Sequence, residues 1–153
     1  MRHNFVDIGC GKGKACIFAA RNNILSFDSI KGIDFCASLI EVAEVNKRKA
    51  LTHRVVFEVA DATEYRLAAG NTLVFMFNPF DDLVLSRFVE NNREHFATYA
   101  SFIAYANDIH REVLEKAGFD ARFRDPDRHL SLFAHSCHGT RFGHAHSASL
   151  GRA

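Results

Sequence analysis

The sequence predicts an α/β fold, a mostly parallel sheet with helices on both faces, from three observations. Short β-branched and aromatic runs alternate with Ala- and charge-rich segments of helical length, and parallel neighbours need the crossovers that such helices supply. Gly9, Gly11 and Gly13, on alternate positions, separate the first strand-like run from the first helix-like one, as a tight strand-to-helix turn requires. Leu73-Val74-Phe75-Met76-Phe77 is an unbroken apolar run, the pattern of a strand buried on both faces.

Taken in order, residues 5–8 (FVDI) read as a strand stopped by glycine, and residues 14–21 (KACIFAAR) as a helix packed on a sheet and ended by Asn22-Asn23. Residues 29–34 and 37–49 repeat the pair, the helix carrying Leu39, Ile40, Val42, Ala43 and Val45 between charges. Residues 55–59 and 73–77 are further strands, and the link over 61–71 reads as irregular. A helix over 81–95 would turn Leu83, Val84, Phe88 and Val89 to the core, and 99–105 reads as a fifth strand. Residues 109–117 are amphipathic and end at Gly118, a helix-stop signal. Residues 119–124 and 130–134 then pair as two last strands around the turn at Asp125-Pro126-Asp127.

The chain has 153 residues, 48% hydrophobic, which at this length is enough for one core without metal or disulfide staples. Nineteen Lys and Arg against 18 Asp and Glu give a net charge of +1. No whole-molecule field therefore draws nucleic acid, and a histone-like role is excluded. No apolar run approaches a membrane span, so no membrane partner is expected and the location reads as cytoplasmic. Cys10, Cys16, Cys36 and Cys137 form no C-x-x-C pair, and reduced thiols are expected.

The strongest chemical signal is Asp7-Ile8-Gly9-Cys10-Gly11-Lys12-Gly13. Glycines there let backbone N–H groups approach a ligand, and the helix start behind them suits a carboxylate or phosphate. Cys10 sits inside this turn, where a helix start would favour a thiolate. The dinucleotide fingerprint G-x-G-x-x-G is not met, because the third glycine falls one place early. A nicotinamide-dependent oxidoreductase is thereby disfavoured. Asp34, 21 residues beyond Gly13 at a strand end, suits the ribose hydroxyls of a nucleoside cofactor, or else it caps a helix.

Through VDIGCGKG, GIDFCASLIEVAEVN, VVFEVADAT and LVFMFNPF, in that order over residues 5–80, the sequence resembles the class I S-adenosylmethionine-dependent methyltransferases. YANDIHREVLEKAGF at residues 105–119 extends the likeness to a small branch of unassigned substrate. The resemblance implies a Rossmann-like sheet of seven strands with the last antiparallel, a domain over 1–135, and S-adenosylmethionine as cofactor. It places the methionine part over Gly9, Cys10, Gly11 and Gly13 with Asp7 near the ammonium, the ribose on Asp34, and the adenine by Phe35, Asp61 and Ala62. Asn78-Pro79-Phe80 would close the fourth strand beside the reacting methyl, with Asn78 touching cofactor and acceptor. It is similar to the Asn/Asp-Pro-Pro-Tyr/Phe motif of amino-directed methyltransferases, although one proline stands where that motif has two. TLVFMFNPF also resembles a block of the non-SET histone-lysine methyltransferases, without their basic extensions.

Family members carry one or two helices ahead of the first strand that close over the cofactor. The resemblance therefore leaves three expectations open: a lid from a second copy or a partner, a truncated or degenerate module that binds the cofactor weakly and without turnover, or a chain that belongs to a longer gene product. The methyl acceptor is not specified, and a nitrogen is one possibility. His129, His135, His138, His144 and His146 with Cys137 match no closed zinc pattern, so no metal is expected. Residues 136–153 read as a mobile His/Gly/Ser tail.

Overall fold

The computed structural model describes residues 3–22, 24–77 and 80–136. Along the chain run β1 (His3–Ile8), α1 (Lys14–Arg21), β2 (Phe27–Asp34), α2 (Ala37–Lys49), β3 (Val55–Val59), β4 (Thr72–Phe77), α3 (Asp82–Asn91), α4 (Arg93–Thr98), β5 (Phe102–Ala106), α5 (Arg111–Lys116), β6 (Phe119–Asp125) and β7 (Leu130–His135). One seven-stranded sheet has the order β3-β2-β1-β4-β5-β7-β6. The first five strands are parallel, and β7 lies antiparallel between β5 and β6. This is the Rossmann-like arrangement that the sequence implied, antiparallel last strand included. The chain steps outward from β1 to β3, then returns to β4 on the other side of β1. Such a reversal leaves a crevice at the carboxyl ends of the strands, where open α/β sheets bind ligands.

The two faces of the sheet are closed to different degrees. On one, Val6, Ile8, Val74, Met76, Ile103, Tyr105 and Phe133 pack under Leu85, Phe88 and Val89 of α3, Phe96 of α4 and Leu114 of α5. On the other, α1 and α2 cover β1 to β3 through Cys16, Ala19, Ile40 and Ala43. Beyond them Leu73 and Phe75 of β4 are half-buried and Phe77 is 66% exposed. The expectation that β4 is buried on both faces is thus corrected: no helix among the described residues lies over its second face.

The single helix expected over 81–95 is two helices broken at Asn92. Asp81 caps α3 by accepting from the Val84 N–H at 2.9 Å. At Asn92 the backbone leaves helical geometry (φ −110°, ψ 15°). Its buried carboxamide accepts from the Leu67 N–H at 2.8 Å and donates to the Tyr65 and Phe88 carbonyls at 2.9 Å. Those bonds fasten the link between β3 and β4, which carries turns and no helix or strand, as expected. The fifth strand starts at Phe102 rather than residue 99, since Tyr99 terminates α4 and the Ala100 N–H is taken by Asn71 Oδ1 at 3.0 Å.

Candidate cofactor site

The site begins with the turn after β1. Gly9, Gly11 and Gly13 all have positive φ, at 74°, 53° and 80°. The N–H groups of Gly9 and Cys10 both donate to the Ile33 carbonyl, at 2.9 and 2.8 Å, and that of Gly13 to the Cys10 carbonyl at 2.9 Å. The Gly11 N–H donates to Asp34 Oδ2 at 2.9 Å. The donors at these four positions are therefore engaged within the protein. The first helical bond joins the Ile17 N–H to the Gly13 carbonyl at 3.0 Å, so Lys14, Ala15 and Cys16 carry the N–H groups that precede the ladder.

The three glycines divide their work. A Cβ built on Gly11 meets nothing within 4 Å, so the turn faces open space there. On Gly13 it would stand 2.4 Å from the Phe57 ring and 3.0 Å from Ala43 Cβ. Gly13 is a packing residue that seats α1 against β3 and α2, and it lines neither of the two cavities that flank the turn.

Two cavities of about 670 Å³ each meet at Gly9. The first opens at the carboxyl ends of β1, β2 and β3 and is lined by Gly9, Gly11, Asp34, Phe35, Asp61, Ala62 and Phe80. Seven sequence-selected residues thus come together. Asp34 ties the turn to α2, accepting the Cys36 N–H on Oδ1 at 2.9 Å as well as the Gly11 N–H on Oδ2. Each carboxylate oxygen has a second lone-pair direction for a hydroxyl donor. Asp61 accepts from the Thr63 N–H and hydroxyl, both at 2.8 Å, and these bonds hold its carboxyl below the usual carboxylate range. Phe35 is 80% exposed, Phe80 is half-buried and Ala62 is buried. Ile33, Cys36, Leu39, Ala60, Thr63, Asp81 and Val84 complete the lining. Sequence reasoning missed these seven. Thr63, two residues after Asp61, carried the signal of an Asx-type turn.

The second cavity is an apolar trough between α1 and β4, lined by Phe5, Phe18, Phe27, Leu73, Phe75 and Phe77, with Asp7, Gly9, Cys10 and Lys14 at its upper end. Asp7 is 3% exposed, and burial pushes its carboxyl up to about 7 against the lowering effect of the Cys16 thiol. Cys10 does not become a thiolate as expected. Burial, then the charges of Asp7 and Asp34, push it up to about 12, and α1 starts only at Lys14. Of the Asn78-Pro79-Phe80 motif only Phe80 is described; Asn78 and Pro79 lie outside the described residues. So do Cys137, His138, His144, His146 and the rest of the expected tail beyond Ser136.

The methyltransferase domain family matches residues 2–124. The chain belongs to that family. It is a class I S-adenosylmethionine-dependent methyltransferase domain, as the resemblance implied. A protein from Pyrococcus horikoshii OT3, PH0226, is similar over 88% of this chain and 82% of its own, with 14% identity and a TM-score of 0.67. Magnesium protoporphyrin IX methyltransferase from Synechocystis PCC 6803 with bound S-adenosylhomocysteine matches over 86% and 72%, with 13% identity and a TM-score of 0.61. The ribosomal protein L11 methylase from Lactobacillus delbrueckii subsp. bulgaricus matches over 87% and 69%, with 12% identity and a TM-score of 0.60. At these identities the likeness is one of fold. No curated protein matches the sequence.

S-adenosylmethionine fits the residues present in the first cavity: the space in front of Gly11 admits backbone-close contact, the carboxylates of Asp34 and Asp61 suit hydroxyl and amino donors, and Phe35 and Phe80 supply ring faces.

Proposed function

We propose that this methyltransferase domain binds S-adenosylmethionine across the first cavity and transfers its methyl group to an acceptor held at the carboxyl end of β4. The cofactor supplies an electrophilic methyl on a sulfonium; the chain's residues bind, orient and exclude water. In this reading Asp34 takes the ribose hydroxyls, Phe35 and Ala62 flank the adenine, and Asp61 accepts from its amino group. Gly9, Cys10, Gly11 and Gly13 shape the turn around the methionine part, and Asp7 meets its ammonium. Asn78, Pro79 and Phe80 orient the acceptor, a nitrogen in the form we favour, with Asn78 accepting its hydrogen bond and the Phe80 ring facing the sulfonium. The observation that carries the reading is the convergence of Gly11, Asp34 and Asp61 on one cavity at the strand ends.

A lid from a second copy or a partner belongs to the same reading, supported by the uncovered row Leu73, Phe75 and Phe77 on β4. Its site of action is the cytoplasm; no helix among the described residues is long and apolar enough to cross a membrane. Calorimetric titration with S-adenosylmethionine and S-adenosylhomocysteine tests the cofactor, and labelled methyl transfer to lysate fractions tests turnover. Binding of both ligands that weakens at least tenfold in Asp34→Ala supports the proposal, since a hydrogen bond to a charged group contributes about 1.5–3 kcal/mol. Binding without methyl transfer to any fraction would favour the non-catalytic module instead.

A further inference from the structure

Asp7 lies one residue before the end of β1, with Gly32 as its register partner on β2 and Phe75 on β4. The missing side chain at Gly32 leaves a slot beside the carboxyl. A Cβ there would stand 2.9 Å from both Cys16 Sγ and Cys10 Cβ, so α1 can lower its Cys16 thiol onto the sheet only because residue 32 is glycine. Cys16 is fully buried, and its Sγ lies 3.8 Å from Asp7 Oδ2, within sulfur hydrogen-bonding range. Burial and the neighbouring Asp7 charge push this thiol far up, so it stays protonated and acts as donor, not acceptor. The other ionisable groups around Asp7 are Cys10 in the turn, Asp34 at the end of β2 and Lys14 at the rim of the same cavity. Cys10 is held neutral, and Asp34 opposes ionisation of Asp7. Among the described residues the Cys16 thiol is the side chain that hydrogen-bonds to it.

We propose that Cys16 is a positioning residue for Asp7: its thiol donates to Oδ2, favours the ionised carboxyl in a dry place and aims the other oxygen at a cationic amine of the ligand. This rests on the reading that Asp7 meets the cofactor ammonium and deepens it, because it makes amine recognition depend on a donor supplied by α1. Glycine at 32 and cysteine at 16 then form one device, a gap in the sheet filled by a small neutral donor.

The test is the pH dependence of S-adenosylmethionine affinity between pH 5.5 and 8.5 for the wild type, Cys16→Ser, Cys16→Ala and Asp7→Asn, with adenosine as a probe lacking the amine. The ligand's own amine titrates identically in every case, so ratios between variants isolate Asp7. Affinity in the wild type is expected to weaken as pH falls through about 7. In Cys16→Ala the midpoint moves up, and a rise of one pH unit weakens binding about fivefold at pH 7. In Cys16→Ser a stronger hydroxyl donor moves it down, which reads out the role even if the alanine variant does not fold. Adenosine affinity stays constant throughout. Midpoints unmoved in both Cys16 variants, with the step abolished in Asp7→Asn, overturn the inference and leave the reading of Asp7 intact. A step and affinity unchanged in Asp7→Asn overturn the reading itself.

Discussion

The two cavities that meet at Gly9 are equal in volume and differ in lining, the first carrying Asp34 and Asp61 and the second a row of phenylalanines, and three aspartates mark the difference. Asp61 lies two residues beyond β3, exposed, with its carboxyl held low by Thr63. Asp34 is the last residue of β2, half-buried and bonded to two backbone N–H groups. Asp7 lies inside β1, 3% exposed, and titrates near 7. One residue type thus yields an ionised acceptor at the first cavity and a reluctant one at the apolar trough, and depth along the strand decides which. In the proposed reading the first cavity takes hydroxyl and amino donors, and the trough takes a charged amine through a carboxyl that must first lose its proton.

The sharpest separation of scaffold from site comes from the glycines. Gly13→Val adds a left-handed backbone penalty of about 1–2 kcal/mol to overpacking of about 1–3 kcal/mol against Phe57, a large share of the roughly 5–15 kcal/mol that holds a domain together. Its measurable outcome is a melt lowered by roughly 5–20 °C. Gly11→Ala pays only the backbone penalty, about 1 kcal/mol, because its Cβ enters open space. It should melt a few degrees lower while losing affinity for S-adenosylhomocysteine.

Asp7→Asn breaks the comparison in the opposite direction. A carboxyl raised from 3.8 to about 7 on folding holds a proton that the unfolded chain has already released between those values. Stability due to it therefore falls as pH rises from about 4 to 7, by up to about 4 kcal/mol at 1.4 kcal/mol per pH unit. Asparagine removes that loss, so thermal melts should show the variant more stable than wild type at pH 8 and equal to it at pH 4. A variant less stable at pH 8 would place the carboxyl in an ionised, well-paired state instead.

A smaller effect is expected at Asp61, whose carboxyl is exposed. Asp61→Ala should cost about 1 kcal/mol of binding, roughly fivefold, with the melt lowered only slightly by loss of the exposed Thr63 bonds, as titration and calorimetry on the same sample would show. The smallest test concerns the open flank. Phe77→Ser should reduce binding of a hydrophobic dye without altering cofactor affinity, since Phe77 lines the trough alone of the two cavities.

Much of this architecture was legible in the sequence because it is locally encoded. The alternation of β-branched runs with Ala-rich helices, the glycine turn and the stop at Gly118 each act within a few residues, and α1, α2 and β3 fall where the pattern placed them. What was not legible depends on distant partners. The break at Asn92 is set by Leu67 and Tyr65, some 25 residues away, and no local signal marks it. The half-open face of β4 cannot be read from an apolar run, which looks the same whether one side or both are covered. At the site, residue types singled out Asp34 and Asp61, and the fold brings both to the lining of the first cavity. Residue types misread Cys10, because its burial beside two carboxylates is a property of the folded sheet. The role of Gly32 escaped for the same reason, since only register sets it beside Asp7.

The central claim is that the cofactor lies across Gly11, Asp34 and Asp61, with its nucleoside on the two aspartates. A crystal structure of the chain with S-adenosylhomocysteine tests it most directly. The expected result is ribose hydroxyls on Asp34 and the adenine against Phe35 and Ala62, with its amino group toward Asp61. Adenosine density in the trough beneath Phe77, or Asp34 bonded to Gly11 and Cys36 alone in a liganded crystal, would contradict it.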